Sequence, residues 1–116
     1  MEIVRETVSG DLQNDRIVLH VLLEQLPATP QMFAMFEDIA DILEHTECSV
    51  LVLDLERVHY ATSSFFAKLV GLNEKCAKRG VELRLCCMGE HVLDAFKVLK
   101  LDTLIKLYAT QEEALA

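Results

Sequence analysis

The chain opens with two stretches in which apolar positions alternate or run together, Glu2 to Val8 and Asp15 to Leu23. Period-two alternation belongs to an extended strand, so both stretches read as strands. The turn-forming Ser9-Gly10-Asp11 and Asn14-Asp15 lie between them, and the pair is expected to form an opening hairpin. Leu26-Pro27-Ala28-Thr29-Pro30 then breaks the extended pattern. Thr29 is a natural N-cap, and Pro30 suits the first helical position, where its missing N–H leaves no bond unmade. From there the pattern turns helical to about His45. Met32, Phe36, Ile39 and Leu43 repeat on one face, with Glu37, Asp41 and Glu44 on the other.

Ser49 to Leu55 (SVLVLDL) is a nearly unbroken apolar run of the kind buried on both faces of a sheet, with Asp54 as a charge near its end. Asp54 reads as a strand-end or loop-anchoring carboxylate. After a loop through His59, a helix is expected from about Ser63 to Arg79, carrying Phe65, Leu69, Leu72 and Cys76 inward. Lys78 and Arg79 suit its negative end, and Gly80 stops it. Val81 to Met88 is another strand, and Gly89-Glu90 opens a helix to about Lys100. Ile105 to Tyr108 and Gln111 to Ala116 close the chain as a short strand and a terminal helix. Strands and helices that alternate after an initial hairpin imply right-handed crossovers and a mostly parallel sheet.

Composition narrows the class. The 116 residues suffice for one domain, spanning 1–116, and 52% hydrophobic content without Trp describes an aliphatic core. A formal charge of −8 leaves no concentrated basic face, so nucleic acid is excluded as an expected partner. No apolar run is long enough to span a bilayer, and MEIVRETVSGD does not read as a targeting segment. A cytoplasmic protein without membrane insertion is expected.

Candidate chemistry is sparse. Cys48, Cys76, Cys86 and Cys87 show no CxxC and no zinc-like spacing with His. Adjacent Cys86 and Cys87 would point to opposite faces of a strand, so reduced packing residues are expected rather than a metal site or a disulfide. His20, His45, His59 and His91 fall on unrelated elements. No catalytic, metal-binding or cofactor-binding residues are assigned, because neither a Gly-rich phosphate loop nor a Ser/His or Cys/His arrangement is evident. An enzyme is not expected.

The remaining feature is the hydroxyl triplet Thr62, Ser63 and Ser64, where the buried strand gives way to a helix. Read locally, such hydroxyls cap the first turn. The surrounding VLDLERVHYATSSFFAKL nevertheless resembles the STAS domain, the family of sulphate-transporter and anti-sigma-factor-antagonist domains. In that family a strand ending in Leu-Asp-Leu leads through a short loop to Asp-Ser-Ser-Gly or Asp-Ser-Thr-Gly and a helix. The tail, GEHVLDAFKVLKLDTLIKLYATQEEALA, is similar to the family's closing helix, its Leu-Asp-x-Leu step and its final Tyr-x-x-x-Glu-Glu-Ala run.

The resemblance implies an α/β fold with a mixed, mostly parallel sheet of about five strands, an initial hairpin and about four helices. It also implies a regulatory protein-binding module of the anti-sigma-factor-antagonist type, with a histidine-kinase-like ATPase as partner. Ser64, and after it Ser63, falls on the phosphoacceptor position. Tyr60, Thr62, Phe65, Phe66 and Lys68 would form the partner-facing junction, with at least one of the two adjacent phenylalanines in the core. Glu24 and Gln25 align near an acid of the family's switch surface. Thr62 stands where the family has Asp, and Phe65 where it has Gly. Those departures favour an alternative: a constitutive subunit of a transporter-associated or signalling assembly, without phosphorylation.

Overall fold

A computed structural model describes residues 1–116. Eight strands and four α-helices run in the order β1 (Glu2–Val4), β2 (Val8–Gln13), β3 (Arg16–Val21), β4 (Gln25–Leu26), α1 (Pro30–His45), β5 (Val50–Asp54), β6 (Tyr60–Ala61), α2 (Ser63–Lys78), β7 (Glu82–Cys86), α3 (Glu90–Val98), β8 (Lys106–Tyr108) and α4 (Gln111–Leu115). The main sheet has six strands rather than about five, in the order β1-β2-β3-β5-β7-β8. β1, β2 and β3 are antiparallel, whereas β3-β5, β5-β7 and β7-β8 pair parallel.

The extra strand comes from the N-terminus. The expected first strand ends early: β1 stops at Val4, the chain reverses through residues 5–7, and β1 pairs back onto β2 with Ile3 opposite Gly10. Ser9-Gly10-Asp11 is therefore mid-strand and not a turn. Gly10 is required there because a Cβ would stand 1.7 Å from the Val18 carbonyl oxygen on β3. The hairpin turn is Asn14-Asp15 alone, between paired Gln13 and Arg16, with Asn14 at φ 58°.

Alternation along β5 divides the interior into two layers. Leu51 and Leu53 join the main core with Ile17 and Leu19 of β3, Leu83 and Leu85 of β7, and the inward residues of α1, α2 and α3. Val50 and Val52 face the other side, where Val18, Cys86 and Ala114 of α4 complete a smaller cluster. α1 begins as expected, with the Thr29 hydroxyl accepting the Met32 N–H at 3.3 Å and Pro30 at the helix start. Gly80, at φ 72°, follows the end of α2.

α4 is only five residues long and covers the second face incompletely. Arg84 donates to the carbonyls of Ala114 at 2.7 Å and Ala116 at 3.1 Å, and Arg16 donates to that of Leu115, tying the C-terminus to the sheet. No helix is long and apolar enough to cross a membrane.

Candidate functional site

The hydroxyl triplet sits at the start of α2, beside a two-stranded parallel ladder separate from the main sheet. In that ladder Gln25 pairs with Tyr60 and Leu26 with Ala61. The His59 amide donates to the Glu24 carbonyl at 2.8 Å, and the Thr62 amide to the Leu26 carbonyl at 3.2 Å. Backbone pairing thus brings Glu24 and Gln25 beside Tyr60 and Thr62. Leu26 is fully buried and anchors the ladder to the core, while Tyr60 remains 53% exposed.

Capping does not account for the triplet. Thr62 occupies the N-cap position without making a side-chain cap bond; its hydroxyl donates to the Leu26 carbonyl at 3.3 Å. The Ser63 and Ser64 amides find no acceptor within the protein, and their hydroxyls likewise make no hydrogen bond. Ser63 is exposed and Ser64 half-buried. The first turn of α2 therefore offers free N–H donors, with the positive end of the helix dipole behind them, and contains no acidic residue.

Phe65 and Phe66 are both core residues, 0% and 3% exposed, so neither side chain is on the surface as a partner contact. Adjacent helical positions differ by only about 100°. A start wedged between α1 and the sheet buries both. Phe65 lies 5.8 Å from the Phe36 ring on α1 and 5.3 Å from Phe66.

Ser64 opens on a groove of about 580 Å³ between α1 and α2. Phe33, Phe36, Glu37 and Ala40 form the α1 wall, and Ser64, Ala67, Lys68, Gly71, Leu72 and Lys75 the α2 wall. Lys68 is exposed, its Nζ 5.2 Å from the centre of the exposed Phe33 ring, within cation–π range. Sequence reading missed Phe33 and the groove. The signal was present as Ser64, Lys68, Gly71 and Lys75, spaced at i, i+4, i+7 and i+11, which is one helix face of small or charged residues.

The cysteines divide into two groups. Cys76 is buried in the main core, and burial pushes its thiol up to about 11, as expected of an inert packing residue. Cys86 and Cys87 do not diverge as the strand pattern predicts. β7 ends at Cys86, and Cys87 adopts φ 59°, which returns its thiol toward that of Cys86. The two sulfurs and an Asp54 carboxylate oxygen lie within 4.8 Å of one another. Burial, and then the Asp54 charge, raises the Cys86 thiol. Asp54 accepts the Glu56 amide at 2.9 Å, anchoring the following loop, and bonds His20 Nδ1 at 3.1 Å. In the sheet register Asp54 stands between His20 and Cys86, so no Cys/His nucleophile pair forms.

No curated protein matches the chain. Among solved structures it is similar to an anti-sigma factor antagonist from Mycobacterium paratuberculosis, with 21% identity, a TM-score of 0.81, and 94% of this chain and 90% of that one covered. A sulfate transporter family protein from Wolinella succinogenes gives 18% identity, a TM-score of 0.74, and coverage of 90% and 85%. The Bacillus cell fate determinant SpoIIAA in its phosphorylated form gives 16% identity, a TM-score of 0.69, and coverage of 93% and 96%. These likenesses concern the fold. The STAS domain family model matches residues 32–114, from the first turn of α1 through α4 and across the Ser64 junction, and the chain belongs to that family.

Proposed function

We propose that this protein is a non-enzymatic regulatory binding module of the anti-sigma-factor-antagonist type, switched by phosphorylation of Ser64 by a histidine-kinase-like partner ATPase. The observation that carries this reading is the hydroxyl of Ser64, which has no hydrogen-bond partner, opens on a surface groove and lies in a helix turn whose N–H donors are free. Ser63 is the second candidate acceptor. Tyr60, Thr62 and Lys68, with Glu24 and Gln25 across the ladder, would form the surface on which the partner docks.

A phosphate adds about −1.5 to −2 charges, which the helix dipole and Lys68, one turn further along, tolerate within the domain. Pressed against a partner, the same charge is desolvated and repelled by any acidic groups it meets. A differential cost of about 3 kcal/mol changes affinity by roughly 100-fold. The Bacillus protein described in a phosphorylated form has the same fold, which makes such a switch compatible with this architecture.

Intact-mass analysis of the purified chain with a cognate kinase and ATP tests the reading. One added phosphate, lost in Ser64→Ala, is expected. No mass gain, together with partner binding unaffected by Ser64→Asp, would overturn it.

The burial of Phe65, where the family motif has Gly, favours a second reading: a constitutive subunit of a transporter-associated or signalling assembly. Recovery of a transporter ATPase, and no kinase, with the tagged chain would select that reading.

A further inference from the structure

We propose that Asp54, Cys86 and Cys87 form a binding site for a thiophilic divalent cation, with zinc the best fit to the donor set. The site lies at the carboxyl ends of β5 and β7, on the face of the sheet that α4 partly covers, and is independent of the Ser64 reading. Three features of the fold build it. Parallel pairing sets Asp54 directly beside Cys86 and His20 directly beside Asp54, so register alone brings residues of three strands into one row. Cys87 then enters the left-handed region at φ 59°, a conformation uncommon for a non-glycine residue and often found where a site dictates it. That turn gathers its sulfur, the Cys86 sulfur and the Asp54 oxygen within 4.8 Å of one another. Finally, Asp54 is oriented on both sides, by the Glu56 amide at 2.9 Å and by His20 Nδ1 at 3.1 Å, as carboxylate ligands of metals are held.

The donor set selects the ion. Two thiolates and a carboxylate suit zinc, whereas magnesium and calcium prefer oxygen donors throughout. With Zn–S of about 2.3 Å and Zn–O of about 2.0–2.2 Å, tetrahedral donors stand roughly 3.4–3.8 Å apart. From a separation of at most 4.8 Å the trio therefore needs to close by no more than about 1.0–1.4 Å. Asp54 borders a surface cavity of about 300 Å³ shared with His20 and Glu56, and Cys87 is only partly buried, whereas Cys86 is fully buried. Three protein ligands leave the fourth position to water, with His20 holding Asp54 from outside the ligand set. Binding converts two thiols to thiolates and so releases protons to the buffer.

The test uses the full chain, kept reduced with a thiol-free reductant. Cobalt(II) titration followed by near-ultraviolet absorption, and zinc competition against a chromophoric chelator, should give one ion per chain with a thiolate-to-cobalt charge-transfer band. Cys87→Ser and Asp54→Asn should abolish that band, His20→Asn should weaken affinity about 10–100-fold, and Cys48→Ser should change nothing. Circular dichroism of each variant confirms that it remains folded. Absence of stoichiometric binding, a band that survives Cys87→Ser, or binding without any thiolate band would overturn the proposal. The last outcome is expected of a surface trio such as Asp41, Glu44 and His45.

Discussion

Gln25 and Tyr60 are register partners in the parallel β4–β6 ladder, and through that pairing the segment after β3 is tied to the residues that lead into α2. Four backbone-built contacts, from the Glu24 carbonyl to the Thr62 amide, hold the junction against the core. Its conformation therefore depends on a distant segment as much as on its own residues.

Leu26→Ala is expected to test that dependence. The fully buried side chain anchors the ladder, and its truncation should destabilise the protein by about 2–5 kcal/mol. Faster hydrogen exchange at the Thr62 amide, beyond that produced by an equally destabilising Leu72→Ala, is the specific signature. Equal exchange in the two variants would mean that the ladder does not control the junction.

A phosphate on Ser64 should be electrostatically coupled to Lys68, its i+4 neighbour. Phosphoserine can be installed at position 64 during translation, without a kinase, and its second ionisation followed by phosphorus NMR. The ordinary value of about 6 should fall in the wild-type background and rise toward normal in Lys68→Ala. Identical titrations would show that Lys68 does not reach the phosphate.

Gly10→Ala should be among the most damaging single substitutions. Its Cβ would meet backbone at 1.7 Å, which no rotamer change relieves, so the β1–β2–β3 register must shift. A loss of at least about 3 kcal/mol is expected in chemical denaturation. Gly71→Ala serves as the control, since a Cβ there meets nothing within 4 Å.

Glu82 ties β7 to β8 by accepting from Lys106 at 2.9 Å and also from Arg84. The Lys106 and Arg84 hydrogen bonds hold its carboxyl below the usual carboxylate range, while the Glu82 contact raises the Lys106 ammonium. Glu82 therefore contributes stability that is present above the ordinary glutamate pKa and is lost as pH falls through its depressed value. Lys106 contributes stability that is lost as pH rises through its elevated value. The groups are substantially exposed, so the effect should be small and salt-sensitive. Denaturation midpoints measured against pH should show a flatter acid limb in Glu82→Gln.

Periodicity made the long elements legible. α1 and α2 begin where Thr29-Pro30 and the Ser63 junction predict, and β5 is the doubly buried run the apolar pattern requires, because those signals depend on neighbours within one or two turns. The N-terminal region misled for the opposite reason. Ser9-Gly10-Asp11 has the composition of a turn, and only the approach of Val18 from another strand explains a mid-strand glycine. The β4–β6 ladder is too short to produce any period.

Local spacing is enough to place the four helices, the strands β3, β5, β7 and β8, the aliphatic core and the hydroxyl triplet. Tertiary structure decided what those residues face. It buried Phe65 and Phe66 together, freed the Ser64 hydroxyl from capping and opened a groove beside it. It also drew Asp54, Cys86 and Cys87 together at the ends of adjacent strands. Such juxtapositions arise from strand register and from a single left-handed backbone residue, neither of which leaves a periodic trace in a linear chain.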